Sequence, residues 1–599
     1  MTTFQPPART NPVAALAVDT PSRPAACIGG TLATVLAGSG MLLLRFGLQV
    51  RTVPERVMEW LLLFVPLGVF EAMLQRFGFD AKRYALGLAV AVMLVLLAWL
   101  GYAVVRREWP YWSIAALGAG LWLGVMLVVM PVTAAGFFAT DLIDGKRSTI
   151  LGYLAVCLTY AASLALARYL SQPGAIVDAE PPDFSARRWA VGLVGGAASA
   201  YALTYLSARL LPPRMSVETL ILSDPQEPVP SGGIDPPNPH PNAVASQAPF
   251  EADATPPPRA ALDVAPLPEP SSSRQLSRDT DGAVLPSGRK PGQLAETTTP
   301  TNDFYIVTKN AAGDPVVHPD GWRLLIDGEV DKPFQLDYAT LRKLPAIEAT
   351  KTLECISNFV GKPQLAPFGA ELISTAAWKG ARVQDILALA GGPKPEAAWV
   401  AVLGADEYTS ALPLQAVLDP ETLLAYQMNG EVLLREHGYP ARLLVPDRYG
   451  MKNPKWVLGL RLMRREFSDW YGQRHWSREG LVRTMIRIDA PAPGAVVAAG
   501  EQQIAGVAYA GRRGIRRVEC SADGGKLWSD AELESAPAAG TLSPDSWVRW
   551  RARFTIASGA TATLVARATD GSGTLQVEPF SLPEPDGGTG WPSIEVTAA

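Results

Sequence analysis

Long apolar runs dominate the chain from its N-terminus to Leu211, and the apolar/polar alternation of soluble strands begins only much later. A helix needs roughly 20 apolar residues to cross about 30 Å of hydrocarbon. Runs of that kind lie near Cys27 to Leu44, Val57 to Leu74, Tyr84 to Val105, Trp112 to Phe138, Ile150 to Ala167 and Trp189 to Leu211. The last four hold almost no charge inside and carry Arg, Lys or aromatic residues at their ends, as interface anchors do. The second contains Glu59, Pro66 and Glu71. A carboxylate in a spanning helix sits at its rim, faces the bundle interior, or handles protons or a quinone. The pattern predicts an N-terminal tail (1–25) and an α-helical transmembrane bundle of about six helices (26–211), with five also open because the first two runs are the weaker ones.

From Pro212 to Pro300 no apolar period persists and about one residue in five is proline. Such a stretch cannot bury enough surface to offset its ordering entropy, and local polyproline II stiffens it. It reads as a tether (212–300). Beyond it come short β-like runs such as WRLLIDGEV, AAWVAVLGADEY and ARLLVPDRYG, separated by helical stretches such as VQDILALA. This predicts an α+β domain over 301–482 and not a doubly wound sheet. From Arg483 the alternation becomes strict, in TMIRIDAP, QQIAGVAYA, IRRVECSADGG, WVRWRARFTI and ATLVARATDG, with turn residues about every ten positions. That spacing predicts an all-β immunoglobulin-like sandwich over 483–582, followed by a C-terminal tail (583–599).

Composition sharpens the division. Only 18% of the 599 residues are charged, because the apolar bundle dilutes the average, and the formal charge is −4. No long basic run supplies the charge a nucleic-acid partner requires. Four cysteines cannot staple a chain this long into a disulfide scaffold. The Lys/Arg counts on the two sides of the bundle nearly balance, so they leave orientation open. Arg187 and Arg188, just before the last run, resemble a twin-arginine export signal or are ordinary anchor arginines. Either way the loop lies in the cytoplasm and everything after Leu211 outside the membrane. All four histidines (His240, His318, His437, His475) follow the last run, so the bundle has no imidazole pair to hold haem. No CxxCH motif occurs either, so no haem is expected in this chain and electrons must pass to a separate partner.

One thiol stands out among the strands: Cys355, in KTLECISNFVG. A lone cysteine is usually a small buried hydrophobe, and Cys520 fits that description. Around Cys355, however, the runs LECISNFVG, LISTAAWKGARVQDILALAG, LGADEYTSALPL and LLAYQMNGEVLLREHGYPARLLVPDRYGMKNPKW follow in order between Asn302 and Gly480. Together they resemble the catalytic domain of the sulfite oxidase family of molybdopterin enzymes. The SADGGKLW turn and WVRWRARF are similar to the dimerisation domain that follows it in that family. The resemblance implies a Mo-molybdopterin cofactor (molybdenum cofactor) with Cys355 as the metal thiolate, which suits a soft metal already bound by sulfur. It also implies cofactor contacts from Asn302, Tyr305, Ile306, His437, Arg442, Asn453, Pro454 and Lys455, with Arg442 and Lys455 on the phosphate. Asp406 and Tyr408, in GADEY, match a strand beside the metal, or form a structural turn. Lys452 and Arg448 are read as solvated loop charges.

The departures from that pattern bear on the substrate. Family members ring a substrate anion with arginines; here Lys309 stands near the first such position, and Phe359 and Val360 occupy later ones. The family's active-site tyrosine has no clear counterpart in DWYGQRHW, where His475 and Trp476 fall in that neighbourhood. Lysine lacks the bidentate fork of arginine. Sulfite, another small oxyanion and a neutral or organic S- or N-oxide all stay open as substrates. The expected activity is two-electron oxygen-atom transfer outside the cytoplasmic membrane. The implied partners are a cytochrome c or a quinone-linked membrane subunit, with a possible homodimer through the sandwich. The rival expectation is a non-catalytic surface protein built on an inactive enzyme-like domain.

Overall fold

The structure is a computed structural model that describes residues 23–65, 73, 76, 81–133, 135–140, 142, 145–171, 291–365, 369–534 and 545–599. The expected span at Trp189 to Leu211, the Arg187–Arg188 pair, His240 and the proline-rich stretch to residue 290 lie outside the described residues. The chain divides into two compact units. One comprises Met1–Arg56, Leu88–Ala139 and Arg147–Pro212; the other comprises Val57–Gly87, Thr140–Lys146 and Pro213–Ala599.

In the N-terminal third the described helices are α1 (Arg23–Gly47), α2 (Val53–Leu61), α3 (Ala81–Arg106), α4 (Tyr111–Gly124) and α5 (Lys146–Leu170). Helical structure continues past α4, and four stretches are long and apolar enough to cross a membrane: Arg23–Gly47, Ala81–Arg106, Tyr111–Val132 and Lys146–Leu170. These coincide with the first, third, fourth and fifth expected runs. The second differs. Only part of it lies within the described residues, as the nine-residue α2, which carries Glu55, Arg56 and Glu59, and a short turn to Phe64. Small residues let the helices approach closely. A Cβ on Gly30 would lie 2.5 Å from the backbone nitrogen of Tyr102, so α1 and α3 touch backbone to backbone there.

The second unit holds two β-rich regions. In the first, one mixed sheet has the order β2-β1-β10-β5-β6, with β1 (Arg323–Gly328), β2 (Phe334–Asp337), β5 (Trp399–Gly404), β6 (Thr409–Pro413) and β10 (Val457–Met463). Its β1–β10 pairing is parallel, for example Leu325 with Gly459. The other sheet is antiparallel: β3 (Ala346–Glu354), β4 (Ile373–Arg382), β7 (Leu423–Met428) and β8 (Glu431–Val432), with β9 (Arg442–Leu444) on β7. One core, including Trp322, Trp378, Ile386, Val402 and Leu460, joins the two sheets and short helices, giving the expected α+β domain.

The C-terminal region is built from β11 (Met485–Ala490), β12 (Val496–Val497), β13 (Gly500–Tyr509), β14 (Ile515–Ser521), β15 (Ser529–Asp530), β16 (Glu532–Leu533), β17 (Val548–Ile556), β18 (Thr561–Asp570) and β19 (Ser593–Ala598). They form sheets β11-β13-β17-β16 and β12-β19-β18-β14-β15 around one apolar core. Two expectations need correction. The final residues are not a tail: β19 alternates exposed and buried positions and pairs with β18 and β12, so Val596 enters the core. The tether ends before residue 300, since Ala295 and Thr299 are buried and the Ala295 N–H donates to Asp489 at 2.9 Å. The two regions also share a cluster: Ile356, Tyr449 and Met451 pack with Met485, Tyr509 and Trp547. Trp550 goes to the β core and Trp547 to this junction.

Candidate active site

Four chain segments meet at one end of the α+β domain. Cys355 directly follows β3, and its N–H donates to Leu372 at 2.8 Å, fixing the thiol where the strand ends. Burial pushes the thiol's pKa up, while the backbone N–H and hydroxyl of Ser357 donate to the sulfur and pull it down. Arg442 opens β9 opposite Ala425 of β7. Its Nη1 and Nη2 donate to the carbonyls of His437 and Asn453 at 3.1 and 3.3 Å, and the guanidinium lies 5.1 Å from the Trp378 ring centroid. Its Nε has no partner among the described residues. Burial lowers the Arg442 pKa to about 10. Lys455, before β10, donates to the carbonyl of Glu436 at 2.9 Å, and burial lowers its pKa too.

The supporting groups are equally specific. His437 Nε2 lies 3.0 Å from the carbonyl oxygen of Thr301. A carbonyl only accepts, so Nε2 carries the proton and Nδ1 is left as an acceptor. Burial drives the His437 pKa down to about 3, keeping the ring neutral. The Asn453 side chain is used within its own loop: Oδ1 accepts from Val445 N–H at 2.7 Å, and Nδ2 donates to the carbonyls of Arg448 and Tyr449.

These segments enclose a cavity of about 510 Å³. Of the residues singled out from sequence, Tyr305, Ile306, Lys309, Cys355, Asp406, Tyr408, His437, Arg442, Asn453, Pro454, Lys455 and His475 all line it. Asn302 does not; it is exposed on the turn Thr301–Asp303. Asp406 organises the β5–β6 turn, accepting from Tyr408 N–H at 3.1 Å and from Asn310 Nδ2 at 3.4 Å. The Tyr408 hydroxyl donates to the Met451 carbonyl at 2.5 Å, and burial pushes its pKa well up. Lys309 Nζ lies 3.6 Å from a Glu59 carboxylate oxygen. His475 is exposed at the rim.

Sequence inspection missed several lining residues. Ser357, Trp470, Tyr471 and Arg474 all face this cavity. Tyr471 is a tyrosine in the place where none was evident: it packs edge-on against Tyr408, with centroids 6.2 Å apart, and against Trp476 at 5.8 Å. The aromatic density of DWYGQRHW was the available signal. Lys452 and Arg448 are not solvated charges. Lys452 is buried and bonded to buried Asp469 at 2.6 Å, because a charge in that interior requires a partner. Arg448 donates to the Glu479 carbonyl.

Comparison with known proteins identifies the region. The oxidoreductase molybdopterin binding domain model matches residues 311–471, and the Mo-co oxidoreductase dimerisation domain model matches residues 482–582. The sulfite oxidase of Gallus gallus is 31% identical over 320 residues, covering 47% of this chain and 69% of that protein. The sulfite oxidase of Arabidopsis thaliana is 29% identical over 327 residues, covering 47% of this chain and 82% of that protein. Among solved structures, the sulfane dehydrogenase SoxCD of Paracoccus pantotrophus aligns with a TM-score of 0.42 and 27% identity, over 48% of this chain and 76% of that one. By its similarity to these sulfite oxidases and its two family domains, the chain belongs to the sulfite oxidase family of molybdopterin-dependent oxidoreductases.

Proposed function

We propose that this protein is a membrane-anchored oxidoreductase that moves an oxygen atom to or from a small sulfur- or nitrogen-containing substrate outside the cytoplasmic membrane. Its electrons pass to or from a separate redox partner, either a cytochrome c or a quinone-linked membrane subunit. The observation that carries this reading is the cavity in which Cys355 faces two cations, Arg442 and Lys455, that form no ion pair among the described residues. Cations held by carbonyls and aromatic faces, and not by carboxylates, call for an anion, and a cavity of about 510 Å³ is the size of a cofactor site.

Molybdopterin fits these residues. Arg442 and Lys455 would hold its phosphate, the unpartnered Arg442 Nε offering a further donor, with backbone groups of Asn453 and Pro454 beside them. His437 would accept a pterin N–H at Nδ1, with Tyr305 and Ile306 lining the same wall. Cys355 would give its thiolate to molybdenum, oriented by the two donors of Ser357. When bound, the cofactor supplies a two-electron metal centre able to donate an oxygen atom to a lone pair or remove one. Lys309, Tyr408 and Tyr471 would position the substrate, Asp406 would hold the Tyr408 turn, and His475 would flank the entrance. Asn302 would act only through its turn, which carries the Thr301 carbonyl.

The four apolar helices support the membrane anchor. The match to a dimerisation domain and the two-sheet core support an immunoglobulin-like module through which two chains pair. The test is elemental analysis of the full chain from a cofactor-competent host, followed by turnover of sulfite, methionine sulfoxide and N-oxides with artificial mediators. Near-stoichiometric Mo and turnover of at least one substrate are expected; below about 0.1 Mo per chain the enzymatic reading fails, since the chemistry belongs to the cofactor.

A further inference from the structure

The cavity above Cys355 has one wall that lies far from the catalytic motifs in sequence. Glu59 on α2, Leu62 and Val65 just beyond it, and Lys82 and Ala85 on the first turns of α3 line the same cavity as Cys355. Two of these contacts are polar and meet one strip of the α+β domain. Lys82 Nζ donates to the Thr308 carbonyl at 2.8 Å, and the Glu59 carboxylate lies 3.6 Å from Lys309 Nζ. Both charged residues line the cavity that holds Cys355, and not merely a surface loop.

We propose that the described residues between 57 and 87 form a wall of the substrate cavity, in which Lys82 and Glu59 set specificity for a small oxyanion. The choice of oxyanion rests on the oxygen-transfer reading above; the identity of the wall residues does not. Lys82, with Lys309 and Arg474, supplies positive charge to this cavity. Glu59 offsets Lys309 and Arg474 and so weakens binding of an anion. Lys309 and Glu59 are largely buried, at 5% and 12% side-chain exposure, so their charges are screened less than on an open surface.

The test uses the full-length holoenzyme in detergent and sulfate as a redox-inert probe, its affinity read from perturbation of the Mo(V) electron paramagnetic resonance signal. Lys82→Met is expected to weaken sulfate about tenfold, Lys82→Arg to restore it, and Glu59→Gln to tighten it about threefold, all with unchanged Mo content. The KM for sulfite should move in the same directions. The proposal is overturned if sulfate leaves the wild-type signal unperturbed, or if Lys82→Met and Glu59→Gln keep wild-type affinity within about twofold. If the shifts appear but no sulfur or nitrogen substrate is turned over, the wall stands and the oxygen-transfer reading falls. If turnover is found while sulfate affinity and sulfite KM do not move, the wall falls alone.

Discussion

Arg442 and Arg487 are equally buried, at 5% exposure each, yet they are treated in opposite ways. Arg487, on β11 of the C-terminal region, is bonded to Asp489 at 2.6 Å and to Glu371 at 3.2 Å, so its charge is matched inside the fold. Among the described residues Arg442, at the cavity, meets only carbonyl oxygens and an aromatic face, and its Nε has no partner. The same contrast separates the two buried thiols. Cys520 lies in an apolar core, where burial raises its pKa to about 12, while Cys355 has two donors from Ser357 aimed at its sulfur. Where the fold completes its own polar pairs it is serving stability; where it leaves them open, it is waiting for a ligand.

Exchanging the thiols tests this most severely. Cys355→Ser should lower turnover by more than about a thousandfold while the pterin stays bound, because the soft ligand is lost. Cys520→Ser should leave activity per Mo unchanged and cost only about 1 to 3 kcal/mol of stability by burying a hydroxyl. Steady-state assays, pterin fluorescence and thermal unfolding distinguish the two, and equal activity losses would break the comparison.

The arginines give the next largest effect. Arg442→Met should reduce cofactor retention about 10- to 100-fold, through lost charge-assisted bonds. In apoprotein, the same change should leave the melting temperature unaltered or raised, since it removes an unmatched charge. Arg487→Met should destabilise apoprotein and holoprotein alike by about 3 to 5 kcal/mol, because two carboxylates lose their buried partner. A marked drop in apoprotein stability for Arg442→Met would show that its charge is matched after all.

A smaller effect follows from His437. Its folded pKa of about 3 lies below the ordinary 6.5, so the unfolded chain binds a proton first as the pH falls. Stability contributed by the neutral ring is therefore complete above about pH 6.5 and is lost towards pH 3, at up to about 1.4 kcal/mol per pH unit. His437→Asn, which keeps a donor for Thr301, should flatten that part of the apoprotein stability profile. An unchanged slope in denaturant titrations across this range would remove His437 from the account.

Much of this arrangement was legible beforehand for identifiable reasons. Long apolar runs declare spanning helices because hydrocarbon tolerates little else, and strict alternation in WVRWRARF and ATLVARAT declares strands with one buried face. The residues around Cys355, Arg442 and Lys455 were found because they sit in contiguous motifs. Tyr471 and Ser357 were missed because their importance lies in what they face and not in local spacing. Lys452 was misjudged because a lysine beside a loop looks solvated until Asp469 arrives from another segment. The six residues of β19 looked like part of a tail because β18, the strand they pair with, is separated from them by a long connection.

The sequence by itself determined the helical anchor candidates, the α+β and β-rich regions and the family, and it singled out Cys355, since each is written in local period or in an unbroken motif. Only the tertiary structure decided which buried cations lack carboxylates, which tyrosines meet beside Cys355, and that Glu59 and Lys82 reach the same cavity. Those are facts about distance between groups separated by hundreds of residues, and charge and hydrogen bonding depend on distance in space, not on order along the chain.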